Sequence, residues 1–114
     1  MILASLRMKV SPRKRDEALR VLKTIAEENR MLPGCTSCRI YEDMQEDNVI
    51  MFEERWRSEA ELEKHLQSEE YRKVLLAMDM ALKHPEVRFN RVSATSGIET
   101  IEKARTATPR GNWR

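Results

Sequence analysis

The sequence is poor in the residues that most often announce a function. Its 114 residues include three glycines, two cysteines, two histidines and two each of Trp, Tyr and Phe. Gly34, Gly97 and Gly111 are too scattered to form a phosphate-cradling loop. Neither a G-x-S-x-G nucleophile elbow nor an H-E-x-x-H metal helix occurs. Cys35, Cys38, His65 and His84 lack the spacing of a closed zinc site, so no metal is expected. No stretch approaches the ~20 apolar residues of a membrane span. The first ten residues are apolar but broken by Arg7 and Lys9, without a basic start or small-residue cleavage site, so they do not read as a signal peptide. Two cysteines with no disulfide framework fit a reduced, cytoplasmic setting.

What is present suffices for one domain. Hydrophobic residues make up 40% and charged residues 35%, too apolar for a disordered chain. With so few aromatics, the core must rely on Leu, Ile, Val and seven Met. The net charge of +2 is unevenly spread. Lys103, Arg105, Arg110 and Arg114 stand in a C-terminal stretch without an acid, which leaves residues 1–102 slightly acidic. Such a body is no nucleic-acid surface.

Residues 2–10 alternate Ile2, Ala4, Leu6, Met8 and Val10 against Leu3, Ser5, Arg7 and Lys9, which predicts a strand. Ser11-Pro12 offers a helix start, and Ala18, Leu19, Val21, Leu22, Ile25 and Ala26 give one apolar stripe. Leu32-Pro33-Gly34 ends that helix. Residues 35–42 and 49–56 predict a hairpin around the polar turn 43–48. Val49–Phe52 is apolar on both sides, which predicts a sheet covered on both faces there. Ser58 and Glu61 form a capping box for a helix through about Gln67. Ser68 then starts a second helix or bends a longer one, with a stripe of Tyr71, Val74, Leu75, Met78 and Leu82 up to Lys83-His84-Pro85. Residues 87–93 predict a fourth strand, and Ile98–Ala104 a short helix before a loose end. The order β-α-β-β-α-β predicts a ferredoxin-like α+β fold: a four-stranded antiparallel sheet with two helices on one face. Residues 1–93 form that domain, and residues 94–114 an extension. The bare second face of the sheet invites a second copy of the chain.

Few residues carry candidate chemistry. His65 shares a helix side with Leu62 and Leu66; it reads as an edge-of-core histidine or as a base facing a pocket. His84, at a helix end, reads as a dipole partner. Trp56 shares a strand face with Ile50, Phe52 and Glu54 and reads as a core plug or a pocket wall. Glu53 and Glu54 point apart, so paired-carboxylate chemistry is not indicated. Arg88 and Asn90 share a face of the last strand and could donate to an oxyanion. Cys35-Thr36-Ser37-Cys38 is a C-x-x-C, but residues three apart on a strand face opposite sides, so the sulfurs are expected to diverge as two separate thiols.

Three segments in register are similar to one family. Pro33-Gly34-Cys35 leads into a strand ending Ile40-Tyr41-Glu42. Phe52-Glu53-Glu54-Arg55-Trp56-Arg57-Ser58 is similar to an "E-x-W-x-S" strand-to-helix junction. His65-Leu66-Gln67-Ser68-Glu69-Glu70-Tyr71 is similar to an "H-x-x-S-x-x-F/Y" stretch. Over about residues 1–93 the chain resembles the antibiotic biosynthesis monooxygenase family. The resemblance implies a homodimeric α+β barrel, with a pocket in each subunit between sheet and helices. It also implies a cofactor-independent oxygenase of a small phenolic or quinol substrate. His65 would be the base, Trp56 and Phe52 pocket walls and Tyr71 an orienting hydroxyl, with Tyr41, Arg88 and Asn90 further substrate contacts. Haem-degrading members resemble one another in an Asn on the first strand and a His ligand after the Tyr/Phe position. Leu3–Arg7 and Tyr71–Leu76 carry neither, so no haem is implied. The alternative is a non-catalytic dimer that binds a small ligand or serves in stress, since fold does not fix function. An open cavity reaching both Trp56 and His65 would favour catalysis. Met and Leu side chains filling that space would remove its basis.

Overall fold

A computed structural model describes residues 1–106. Its elements run β1 (Ile2–Lys9), α1 (Arg15–Asn29), β2 (Cys35–Glu42), β3 (Val49–Trp56), α2 (Glu59–Leu66), α3 (Tyr71–Met78), β4 (Glu86–Arg91) and α4 (Glu99–Ala104). The strands form one sheet in the order β2-β3-β1-β4, each neighbouring pair antiparallel. This is the expected ferredoxin-like arrangement. The calls for residues 107–114 lie outside the described part.

Alternation in β1 sets the two faces. Ile2, Ala4, Leu6 and Met8 are buried under the helices, while Leu3, Ser5, Arg7 and Lys9 are partly exposed. The helical stripe of α1 meets that apolar row with Ala18, Leu22, Ile25 and Ala26, all buried. α3 adds Val74 and Ala77 to the same core.

Local differences have local causes. α1 starts at Arg15 rather than at Pro12, because residues 11–14 close a turn, with the Lys14 N–H donating to the Ser11 carbonyl at 3.0 Å. α3 stops at Met78, and the chain then bridges Ala81 to Val10. The predicted stripe therefore ends before Leu82, which is exposed; Leu75, within α3, is exposed as well. The outer sheet face is not the apolar surface that Val49–Phe52 suggested. Val49 and Met51 lie opposite Lys9 and Arg7, and Arg7 and Lys9 reach Asp43 and Glu46 of the hairpin turn. In that turn Asn48 takes a positive φ of 61°, a conformation asparagine tolerates better than most residues.

The region after β3 positions the site. Ser58 caps α2 by accepting from the Glu61 N–H, as the capping box predicted. The helical run is indeed interrupted at Ser68. Its hydroxyl donates to the His65 carbonyl at 2.6 Å and accepts from the Tyr71 N–H at 3.3 Å. One side chain thus ends α2 and starts α3.

Candidate active site

β3 turns Ile50, Phe52, Glu54 and Trp56 inward, and all four are buried. Glu54 therefore brings a carboxylate into an apolar interior, where it is 4% exposed. A buried carboxylate is tolerated only if donors surround it. Three do. Asn29, the last residue of α1, donates its side-chain amide to Oε2. The Trp56 indole N–H donates to Oε1 at 3.4 Å. His65 of α2 places Nε2 at 3.2 Å from Oε2.

This arrangement assigns the imidazole. An indole N–H has no acceptor lone pair, and Asn29 presents its NH₂ group, so Glu54 serves as the acceptor of the cluster. The His65 nitrogen facing it then carries a proton, and Nδ1 holds the lone pair in the neutral ring. Nδ1 is buried and has no hydrogen-bond partner. The ring itself is fixed from two sides. Trp56 stacks on it at 4.4 Å between centroids and 28° between planes. Tyr71 meets it edge-on at 5.3 Å and 87°. Burial, helped by the charge of Glu54, raises the Tyr71 phenol above its ordinary pKa, so it remains an O–H donor at neutral pH.

The two cysteines correct the expectation of diverging sulfurs. β2 carries a bulge between Cys35 and Ser37, so Cys35 pairs with Trp56 and Cys38 with Glu54. Trp56 and Glu54 share a face, and the extra residue puts both thiols on it. Asn29 Nδ2 also lies 3.8 Å from Cys38 Sγ.

Two spaces border the cluster, one lined by His65 and Trp56 and the other by Glu54 and Tyr71. A cleft of about 490 Å³ is lined by Trp56 and His65 together with Leu32, Pro33, Gly34, Glu61, Lys64, Ser68 and Glu70. That volume is in the range of small-molecule sites. Between the sheet and α3, by contrast, Glu54, Phe52, Tyr71, Val74, Met78, Val87 and Phe89 enclose only about 20 Å³, room for roughly one water.

The structure thus brings His65, Trp56 and Tyr71 together and places Phe52 on the nearby small cavity. It does not bring in Tyr41, Arg88 or Asn90. Tyr41 pairs with Met51, and Arg88 and Asn90 with Ser5 and Leu3, all on the outer sheet face. Sequence reasoning missed Glu54 and Asn29 as members of the site. Both had a signal: a lone carboxylate on an otherwise apolar strand face, and an asparagine in phase with Leu22, Ile25 and Ala26. Among the described residues no cluster of His, Cys, Asp and Glu is suited to hold a metal. No helix there is long and apolar enough to cross a membrane.

The sequence profile of the antibiotic biosynthesis monooxygenase family matches residues 1–75. The chain belongs to this family. An uncharacterised protein of Synechocystis sp. is 34% identical over 92 residues, covering 80% of this chain. The chain spans 63% of the length of that relative. Among solved structures, an antibiotic biosynthesis monooxygenase superposes with a TM-score of 0.72 at 21% identity, over 82% of this chain and 100% of the other. A conserved protein from Methanosarcina mazei Go1 gives 0.73 at 23% identity, over 79% and 90%. At such identities these likenesses concern the fold.

Proposed function

We propose that this family member is a cofactor-independent monooxygenase of a small phenolic or quinol-type substrate, bound in the cleft and deprotonated by His65. The observation that carries the reading is the buried Glu54–His65 pair, with Nδ1 of His65 left without a hydrogen-bond partner and the residue on the wall of the cleft. A base held by a third group in one tautomer is the arrangement used for proton abstraction. Glu54 is the positioning residue; Trp56 fixes the ring and walls the cleft. Lys64 on the cleft offers a donor to a phenolate oxygen. The electron-rich anion would then pass electrons to dioxygen, one oxygen atom entering the product and the other leaving as water.

The test is oxygen uptake by the purified, metal-free protein with a panel of hydroquinones. At least one should be turned over, with His65→Ala at background and Glu54→Gln strongly slowed. If no substrate exceeds the rate of His65→Ala, the assignment fails. The second reading, non-catalytic binding of a small ligand, draws support from the nearly filled space between sheet and helices, only about 20 Å³. It predicts ligand-induced protection of the cleft without oxygen uptake.

We further propose a homodimer, built on the outer sheet face, and residues 94–114 as an extension of a domain ending near residue 93. Light scattering should give twice the 13.4 kDa of one chain; a monomer would contradict this.

A further inference from the structure

We propose that Cys35 and Cys38 are a redox-active dithiol that closes to an intrachain disulfide, with Cys35 meeting the oxidant and Cys38 resolving. The geometry comes from the β2 bulge, which turns a spacing of three into a same-face pair opposite Trp56 and Glu54. Residues two apart on a strand such as β3 lie ~6.6 Å apart. The cysteines opposite them thus fall within the ~4.4–6.8 Å Cα window for a disulfide.

The two sulfurs are unequal. Cys35 is partly exposed at the start of the strand, next to Pro33 and Gly34 of the cleft, whereas Cys38 is 1% exposed. The thiols interact directly. Cys35 Sγ lies 3.4 Å from the Ser37 carbonyl oxygen, and the neighbouring Cys38 thiol holds the Cys35 thiol below its ordinary pKa. The same thiol–thiol contact, with burial and the nearby Glu54, pushes Cys38 far up. The accessible sulfur is therefore the better thiolate, and the shielded one is spared direct oxidation.

The chemistry is that of a peroxide. The Cys35 thiolate attacks one peroxide oxygen; an S–O bond forms, the O–O bond breaks and hydroxide leaves, giving a sulfenic acid. The Cys38 sulfur then attacks the Cys35 sulfur. An S–S bond forms, the S–O bond breaks, and the oxygen leaves as water with the Cys38 proton. Two electrons pass from the two sulfurs to the peroxide. Because Asn29 touches both Cys38 and Glu54, closure also bears on the cluster around His65.

The experiment treats the reduced, folded full chain with stoichiometric hydrogen peroxide and reads intact mass and alkylation. The chain has no other cysteine. It should lose two hydrogens, lose both alkylatable thiols and recover both with a dithiol reductant. Cys38→Ser should stop at a dimedone-reactive sulfenic acid on Cys35, and Cys35→Ser should leave Cys38 unmodified. Stable over-oxidation of Cys35 without linkage would overturn the proposal. So would a disulfide between chains, or reaction seen only after denaturation.

Discussion

Removing the acceptor at the centre of the buried cluster is the sharpest test of the site as described. Glu54→Ala takes the acceptor from three interior donors: the Asn29 amide, left with only its 3.8 Å contact to Cys38 Sγ, the Trp56 indole N–H and His65 Nε2. Each stranded donor costs about 1–3 kcal/mol, so the sum is about 2–6 kcal/mol even if one finds water in the vacated space. That is a large part of the roughly 5–15 kcal/mol by which domains are stable. Glu54→Gln keeps one carbonyl oxygen and nearly the same volume. Its NH₂ group can donate to the other tautomer of His65, so about 1–2 kcal/mol is expected. Urea unfolding followed by fluorescence measures both. At a slope of ~1.5 kcal/mol per molar, the alanine variant should shift its midpoint by roughly 1.3–4 M. Adding Asn29→Ala to Glu54→Ala should cost less than the sum, since the stranded amide is gone. If Glu54→Ala stays within ~1 kcal/mol of the parent, the cluster is not dry, and the tautomer argument for His65 falls with it.

Further expectations follow from single contacts. Ser58→Ala removes the cap of α2 and should cost about 1 kcal/mol in the same unfolding measurement, with Ser58→Asp largely restoring it. Gly34→Ala would set a Cβ 2.6 Å from the Cβ of Glu61, so α2 must move; about 1–3 kcal/mol is expected, and an unchanged midpoint would show that the cleft wall yields freely. On the acid side, backbone N–H groups led by Gln45 depress Asp43, and Arg7 depresses Glu46. Their stabilisation is whole above the ordinary values of 3.8 and 4.5 and is lost as pH falls through the lower folded values, so Arg7→Leu should flatten the acid limb of a stability–pH curve. On the alkaline side the sign reverses. The raised Tyr71 contributes fully below its ordinary 10.0 and loses that contribution as pH climbs toward the folded value, so Tyr71→Phe should soften the alkaline fall.

The fold was legible because each element carried its own start and stop. Alternation marked β1, the Ser58–Glu61 box marked α2, and Leu32-Pro33-Gly34 closed off α1. The site was legible only in part. Trp56, His65 and Tyr71 stood out as rare residue types in a family-like register. Glu54 was passed over because it was weighed against its neighbour Glu53 rather than against the apolar residues sharing its face. Asn29 lay one turn beyond the last aliphatic residue of its stripe. The bulge in β2 had no signal in periodicity: an inserted residue such as Thr36 changes the phase of a strand without changing its composition. That single residue separated the expected diverging sulfurs from the observed pair. Arg88, Asn90 and Tyr41 were misjudged for the opposite reason. Their shared faces were read correctly, but which face the helices cover is a tertiary fact.

The interruption at Ser68 also fixes what an uninterrupted helix could not. At about 100° per residue, positions 65 and 71 on a continuous helix would point ~120° apart. One ring would lie against the sheet while the other looked into solvent. Resetting the phase between them lets both aromatic faces converge, and a single hydroxyl does it. The angular relation of His65 to Tyr71 is thus stored in a joint rather than in a rigid rod. Healing that joint, with Ser68→Ala and a strong helix former at Glu69, should trade added helix for the loss of the edge-to-face contact.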